Sequence, residues 1–252
     1  MAYSVERFAD PAAFLERAGP WLLSAEAENN LLLGLAERLA HSTAGFEPPV
    51  YLAAVHDADG ALVGCAFRTP PHKAGLTDMP AAAARVVAAD MGEVYDALPA
   101  VFGPDRPARA FADAWAAAHG LVARQGMAQR IYRLEQVVPP PGEPAGRMRV
   151  AGSEDVDLLA RWMAAFVDET AVGLGRELRR RTRDAVRGRA LMLWTDGGRP
   201  VSMAGVAGVT PNGARVGYVY TPPELRGRGY ATWCVTRLSQ RMLARGKRFC
   251  FL

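Results

Sequence analysis

The chain has 252 residues, 50% of them hydrophobic, and carries 30 Lys and Arg against 26 Asp and Glu, a net charge of +4. That length predicts one large domain or two small ones, at roughly 100–200 residues each, with ample material for a core. The mild charge would help attract an anionic cofactor but does not by itself imply a nucleic-acid partner.

No apolar run approaches the roughly 18–20 residues of a membrane helix, and the N-terminus lacks a basic stretch followed by an apolar one. A cytoplasmic protein without a membrane partner is therefore expected. Cys65, Cys234 and Cys250 lie far apart and form no Cys-x-x-Cys pair, so neither a metal site nor a disulfide framework is indicated. Three scattered thiols fit a reducing compartment. Lys73 and Lys247 are the only lysines, so arginine is the default cation here and no single arginine is diagnostic.

Leucine and alanine recur at helical spacing over residues 11–18 and 28–41. Strand-like runs at 50–56 and 61–67 follow, joined by Asp57-Ala58-Asp59-Gly60, a hairpin signal. Residues 137–144 read Val-Val-Pro-Pro-Pro-Gly-Glu-Pro. Four prolines remove backbone donors and favour extended geometry. A linker at 139–146 is expected, separating residues 1–138 from 147–252.

Beyond it, Ser153 is expected to cap a helix over about 154–170, with Val156, Leu159, Ala160, Met163, Phe166 and Val167 on one face. A short, very polar helix is expected over 176–188. Strands at 190–195 and 200–209 are joined by Asp196-Gly197-Gly198, and Pro211-Asn212-Gly213 turns the chain into a strand at 214–221. An amphipathic helix over 229–245 is expected to face a sheet with Ala231, Cys234, Val235, Leu238 and Met242, and residues 248–252 begin another strand. The two halves share a helical region followed by a hairpin, the mark of a duplication.

The segment 218–231, Tyr-Val-Tyr-Thr-Pro-Pro-Glu-Leu-Arg-Gly-Arg-Gly-Tyr-Ala, is the most informative in the chain. A strand delivers the backbone to a loop in which Gly227 and Gly229 permit positive φ and close approach. A helix begins at once, so its free N–H groups and positive dipole end face the loop. With Arg226 and Arg228 this makes a cradle for an anion such as a pyrophosphate.

Arg226-Gly227-Arg228-Gly229-Tyr230-Ala231 resembles the coenzyme A pyrophosphate motif of the GCN5-related N-acetyltransferases, Gln/Arg-x-x-Gly-x-Gly/Ala, and the preceding Val219-Tyr220-Thr221-Pro222-Pro223 is similar to bacterial members. The resemblance covers residues 147–252. It implies an α+β, three-layer fold: two tandem mixed, mostly antiparallel sheets flanked by helices, the first half a degenerate copy. Residues 77–84 of that copy, Thr-Asp-Met-Pro-Ala-Ala-Ala-Ala, hold no cradle motif, so only the second half is expected to bind cofactor.

The resemblance further implies acetyl-CoA as cofactor and acetyl transfer to a primary amine of a small-molecule or peptide acceptor. Val219, Tyr220, Thr221 and 226–231 would hold the cofactor, with an N–H near Val219 or Tyr220 stabilising the thioester oxygen. The attacking amine must be neutral, so a base or a water must take its proton. His41, His56, His72 and His119 all lie in the first half, and the strand at 214–221 has no acidic residue, where many members carry a glutamate. Glu169 leads as base, ahead of Glu224 beside the cradle and Asp168. Trp162 and Trp194 are placed in the core more readily than in an acceptor pocket.

Three other readings stay open: a coenzyme A-binding sensor without catalysis, an aminoacyl transferase of a related tandem fold, and an arginine-rich nucleic-acid binder. The regular structure around Arg-Gly-Arg-Gly and the lack of an aromatic-interleaved basic stripe argue against the last. Residues 248–252, Arg-Phe-Cys-Phe-Leu, read as the start of a buried strand, and the resembled family continues with a helix and two strands. A C-terminally incomplete domain is therefore expected, with an unpaired apolar strand edge that invites a homodimer.

Overall fold

The computed structural model describes residues 2–42, 46–170 and 177–252, and the chain divides into two compact units, Met1–Arg130 and Ile131–Leu252. The first unit is a five-stranded sheet in sequential order: β1 (Ser4–Arg7), β2 (Tyr51–His56), β3 (Leu62–Arg68), β4 (Ala74–Leu76) and β5 (Val101–Phe102). All neighbours are antiparallel except the β4–β5 pair, which is parallel. Between β1 and β2 run α1 (Pro11–Ser24) and α2 (Asn30–His41); α3 (Ala81–Gly92) and α4 (Asp105–His119) flank β5.

The alternation of strand side chains makes two cores. Tyr51, Ala53 and Val55 join Val87, Met91, Phe111 and Trp115, while Leu52 joins Phe14, Leu22, Leu32 and Leu39. Asp10 starts α1 by accepting from the Ala12 N–H, with Pro11 at the first turn where its missing N–H costs nothing. That helix runs to Ser24, past the expected end at Ala18, because Leu22 completes its buried face.

The second unit starts with β6 (Arg133–Leu134) and β7 (Arg147–Val150), followed by a single 3-10 turn at Ser153–Asp155, α5 (Val156–Thr170) and α6 (Leu178–Arg187). Then come β8 (Leu191–Asp196), β9 (Arg199–Val209), β10 (Gly213–Tyr220), α7 (Tyr230–Ala244) and β11 (Phe249–Phe251). The sheet order is β6-β11-β10-β9-β8-β7, with β10 and β11 parallel and every other pair antiparallel. From β7 onward the order strand, two helices, three strands, helix, strand repeats that of the first unit from β1.

Again there are two cores. Met192, Trp194, Ala204, Cys234 and Leu238 form one with α7; Leu159, Met163, Leu191, Leu193 and Met203 form the other with α5 and α6. Within α7, Trp233, Cys234, Leu238 and Met242 are buried as a helical stripe, while Ala231 and Val235 are half-buried at its margin. The polar helix α6 starts at Leu178; Arg176, its expected start, lies outside the described residues.

Two expectations are corrected. Ser153 does not cap α5: the chain turns through 3-10 geometry, and the Asp155 carboxylate reaches back to the Gly152 N–H at 2.8 Å. Nor is β11 an unpaired edge. β6 pairs with it, Leu134 opposite Cys250 and Arg133 opposite Phe251, and Tyr132 and Leu252 exchange backbone hydrogen bonds at 2.9 and 3.0 Å. The expected dimerising edge is thereby covered from within the chain.

The proline-rich stretch lies inside the second unit and is fastened to it. Trp233 Nε1 donates to Gly142 O at 3.2 Å, Trp194 Nε1 to Ala145 O at 3.0 Å, and Arg237 pairs with Glu143 at 2.7 Å. Among the described residues, no helix is long and apolar enough to cross a membrane.

Candidate functional site

β10 carries the chain into the cradle. β9 flanks it on one side, with register shifts between Arg215 and Val216 and between Gly217 and Tyr220. In the second shift Tyr218 takes φ 54°, unusual for a bulky residue, and 218–219 have no partner on β9. On the other side β11 pairs only with Gly213–Arg215. Among the described residues, no strand covers Val216–Tyr220 on that side, so the approach to the cradle presents backbone groups free to bond an extended ligand.

The cradle follows Thr221 and a 3-10 turn at Pro223–Leu225. Gly227 and Gly229 stand at φ 77° and 81°. A side chain at Gly227 would meet nothing within 4 Å, and one at Gly229 only the Trp233 ring edge at 3.9 Å. The glycines are thus demanded by backbone conformation, and open space lies before them. Gly229 caps α7 and, among the described residues, no side chain bonds the first N–H groups of the helix, which present themselves to an anion at the positive dipole end.

The basic groups divide. Arg226 is turned back: Nε donates to Thr221 O at 2.9 Å, Nη2 reaches both Glu169 oxygens at 2.8 Å, and the guanidinium lies 5.7 Å from the Tyr220 ring centroid. Its hydrogen bond to Glu169 raises its pKa above the ordinary arginine value. Arg228 is exposed, makes a long contact to Glu224 O at 3.4 Å and lies near the Tyr230 hydroxyl. Tyr230 is buried and donates its hydroxyl to Asp196 at 2.6 Å, which raises its pKa and ties the start of α7 to the β8–β9 hairpin. Thr221 is buried, its hydroxyl 2.9 Å from that of Ser202. Val219 and Ala231 are half-buried.

Beside the β10 distortion, the Trp162 and Tyr220 rings lie 6.2 Å apart, with Phe166 and Tyr218 partly buried against the same core. Glu169 is half-exposed at the end of α5 and committed to Arg226. Asp168 and Glu224 are exposed. Trp194 is fully buried and belongs to the core rather than to a pocket. Burial pushes the Cys234 thiol up to about 12, which leaves it inert near neutral pH.

The corresponding place in the first unit is closed. Between β4 and α3, Thr77 Oγ1 accepts the Cys65 N–H at 2.8 Å, and Met79 is buried against Gly64, where an added Cβ would lie 2.7 Å from the Met79 Cβ. No glycine stands in this connection. Two features of the second unit escaped the sequence: the Glu169–Arg226 pair, whose members lie 57 residues apart, and Asp196 as anchor of Tyr230. Asp196 reads locally as a turn residue, and nothing local to Glu169 points to Arg226.

Residues 159–252 match the model of the acetyltransferase (GNAT) family. A GNAT-family acetyltransferase from Colwellia psychrerythraea is 12% identical, covers 99% of this chain and 89% of its own, and superposes with a TM-score of 0.55, a likeness of fold. A predicted acetyltransferase with acetyl-CoA from Clostridium acetobutylicum is 18% identical over 39% of this chain and 74% of its own, with a TM-score of 0.33. An N-acetyltransferase from Staphylococcus aureus is 21% identical over 40% of this chain and 68% of its own, with a TM-score of 0.34. No curated protein matches the chain. Residues 159–252 are thus similar to the acetyltransferase (GNAT) family, and the chain shares the mixed α+β fold of a GNAT-family protein.

Proposed function

We propose that the second unit binds acetyl-CoA and passes its acetyl group to a primary amine of a small molecule or peptide by direct attack. The observation that carries this reading is the cradle: two left-handed glycines and an uncapped helix start, placed where the uncovered stretch of β10 ends. Gly227, Gly229, Tyr230 and Ala231 present backbone N–H groups to the pyrophosphate, and Arg228 adds an exposed charge. Val219, Tyr220 and Thr221 offer backbone groups to the pantetheine arm. Arg226 shapes the loop from behind, through Thr221 O.

When bound, the cofactor supplies a thioester whose C–S bond breaks as the amine nitrogen bonds the carbonyl carbon. An N–H at Val219 or Tyr220 stabilises charge on the oxygen. We assign Tyr220 to the reaction centre and Glu169 to a positioning role behind it. Tyr220 acts through its backbone and its packing on Trp162. Glu169 acts through Arg226, to which both its oxygens are committed, so a water takes the amine proton. The first unit, Met1–Arg130, serves as a copy without a cradle. The protein works in the cytoplasm.

A second reading, coenzyme A binding without catalysis, is favoured by one observation: β10 offers no acidic side chain. Calorimetry should give one acetyl-CoA per chain, and Gly229→Val should abolish it, because a β-branched residue resists φ 81° and its side chain enters the anion space. Two equivalent sites, or unchanged affinity in that variant, would refute the assignment. Thiol release with a panel of amines then separates transfer from binding alone.

A further inference from the structure

Charge is not spread evenly over this molecule. The ten residues of α6 contain five arginines and one aspartate, a net +4, equal to the +4 of the whole chain, so the remainder balances to zero. One face of α6 is buried through Thr182 and Val186. Arg179, Arg183 and Arg187 recur every four residues and so line up along another face, about 6 Å apart.

That row borders a groove of about 560 Å³ between α6 and the 3-10 turn before α5. Buried Val156 and Val186 contribute to its lining, and Arg183, Arg187 and Arg189 line it as well. These three arginines are exposed and, among the described residues, make no ion pair or side-chain hydrogen bond. Two of the nearby carboxylates are already paired. Asp157 is taken by Arg179 at 2.6 Å and Asp155 by Arg149 at 2.6 Å. Glu154 turns its carboxylate over Gly152 at the edge, and Asp184 stands on α6 itself.

A second observation comes from α7. Among the described residues, Arg241 has a buried Nε without a partner, and its pKa is lowered by burial and then by repulsion from Arg245 and Arg189. Arg241 does not line the groove, but its repulsion from Arg189, which does, shows that Arg189 stands in a field of like charge that an anion would relieve.

We propose that this groove is a binding site for a small anion bearing a phosphate or pyrophosphate group, separate from the cradle, with which it shares no residue. Guanidinium forks match phosphate oxygens in pairs. The volume suits a small molecule, within the range of about 300–1,000 Å³ usual for ligand pockets.

The test is calorimetric titration of inorganic pyrophosphate into the full chain, with the cradle first saturated by coenzyme A. One further site is expected, weakened about tenfold or more in the Arg183→Glu/Arg187→Glu variant. The milder Arg183→Gln/Arg187→Gln pair should fall between, and far-UV circular dichroism should show both folded, since these side chains are exposed. The site should persist in Gly229→Val, so its success or failure is read independently of the cradle. No binding beside coenzyme A, equal affinity in the charge-reversed variant, or tighter binding of a single-stranded oligonucleotide or acidic peptide than of pyrophosphate would each overturn the proposal.

Discussion

At the residue scale, Glu169 and Arg226 show how a motif arginine can be spent. Its position suggests a direct phosphate contact, yet its guanidinium is divided between Thr221 O and Glu169. A half-exposed pair of this kind contributes little to stability, so its weight lies in geometry. Glu169→Gln keeps an acceptor but removes the charge that holds Arg226 in place. If Glu169 positions the loop, KM for acetyl-CoA should rise roughly three- to tenfold while the pH profile of kcat stays as it was. If it were the base, kcat would collapse, the acidic limb would vanish from the profile, and KM would hold.

At the element scale, the entry into α5 rests on an ion pair. Arg149 at the end of β7 bonds both oxygens of Asp155, at 2.6 and 2.8 Å, and Asp155 is buried. The Arg149 guanidinium and then the Gly152 N–H hold the Asp155 carboxyl below the usual aspartate value, against the pull of burial. The folded chain therefore binds that proton less readily than the unfolded one. The stabilisation is complete above the unfolded pKa, near 3.9, and disappears as pH falls through the lower folded value. Asp155→Asn should cost about 2 kcal/mol near neutral pH, and urea unfolding of the variant should lose less stability between pH 5 and 3, the window set by that reference value, than the parent does. An equal loss in both would remove the pair from the account. The sequence offered Ser153 as the cap because serine is a common one; burial of Asp155 against a residue six positions upstream is a tertiary choice that no local pattern records. The strands and α7 were legible because hydrophobic alternation and helical spacing report burial directly. The cradle was legible because its parts are contiguous, from Val219 to Ala231. Asp196 under Tyr230, Glu169 behind Arg226 and the arginine groove depend on distant segments meeting, which spacing does not encode.

At the scale of the whole chain, the decisive feature is where the second unit begins. Composition suggests a break at the prolines, with a domain running over 147–252. The contacts divide the chain at Arg130/Ile131 instead, and the added stretch has two structural tasks. Its first residues supply β6, which bonds β11 through Leu134 and Arg133 and shields the buried Phe249, Cys250 and Phe251 strand from solvent and from foreign strands. Its later residues fasten to Trp233, Trp194 and Arg237, fixing α7, the helix whose start forms the cradle. Two fragments separate these accounts. Residues 131–252 should unfold cooperatively in urea. Residues 147–252 lose β6 and the docked segment together, and at about 1 kcal/mol per backbone or side-chain hydrogen bond should be less stable by on the order of 3–5 kcal/mol. The shorter fragment should also associate at its bare β11 edge, visible as a concentration-dependent mass in light scattering. Matching unfolding midpoints and a monomeric shorter fragment would mean that the prolines, rather than Ile131, mark where the folding unit starts.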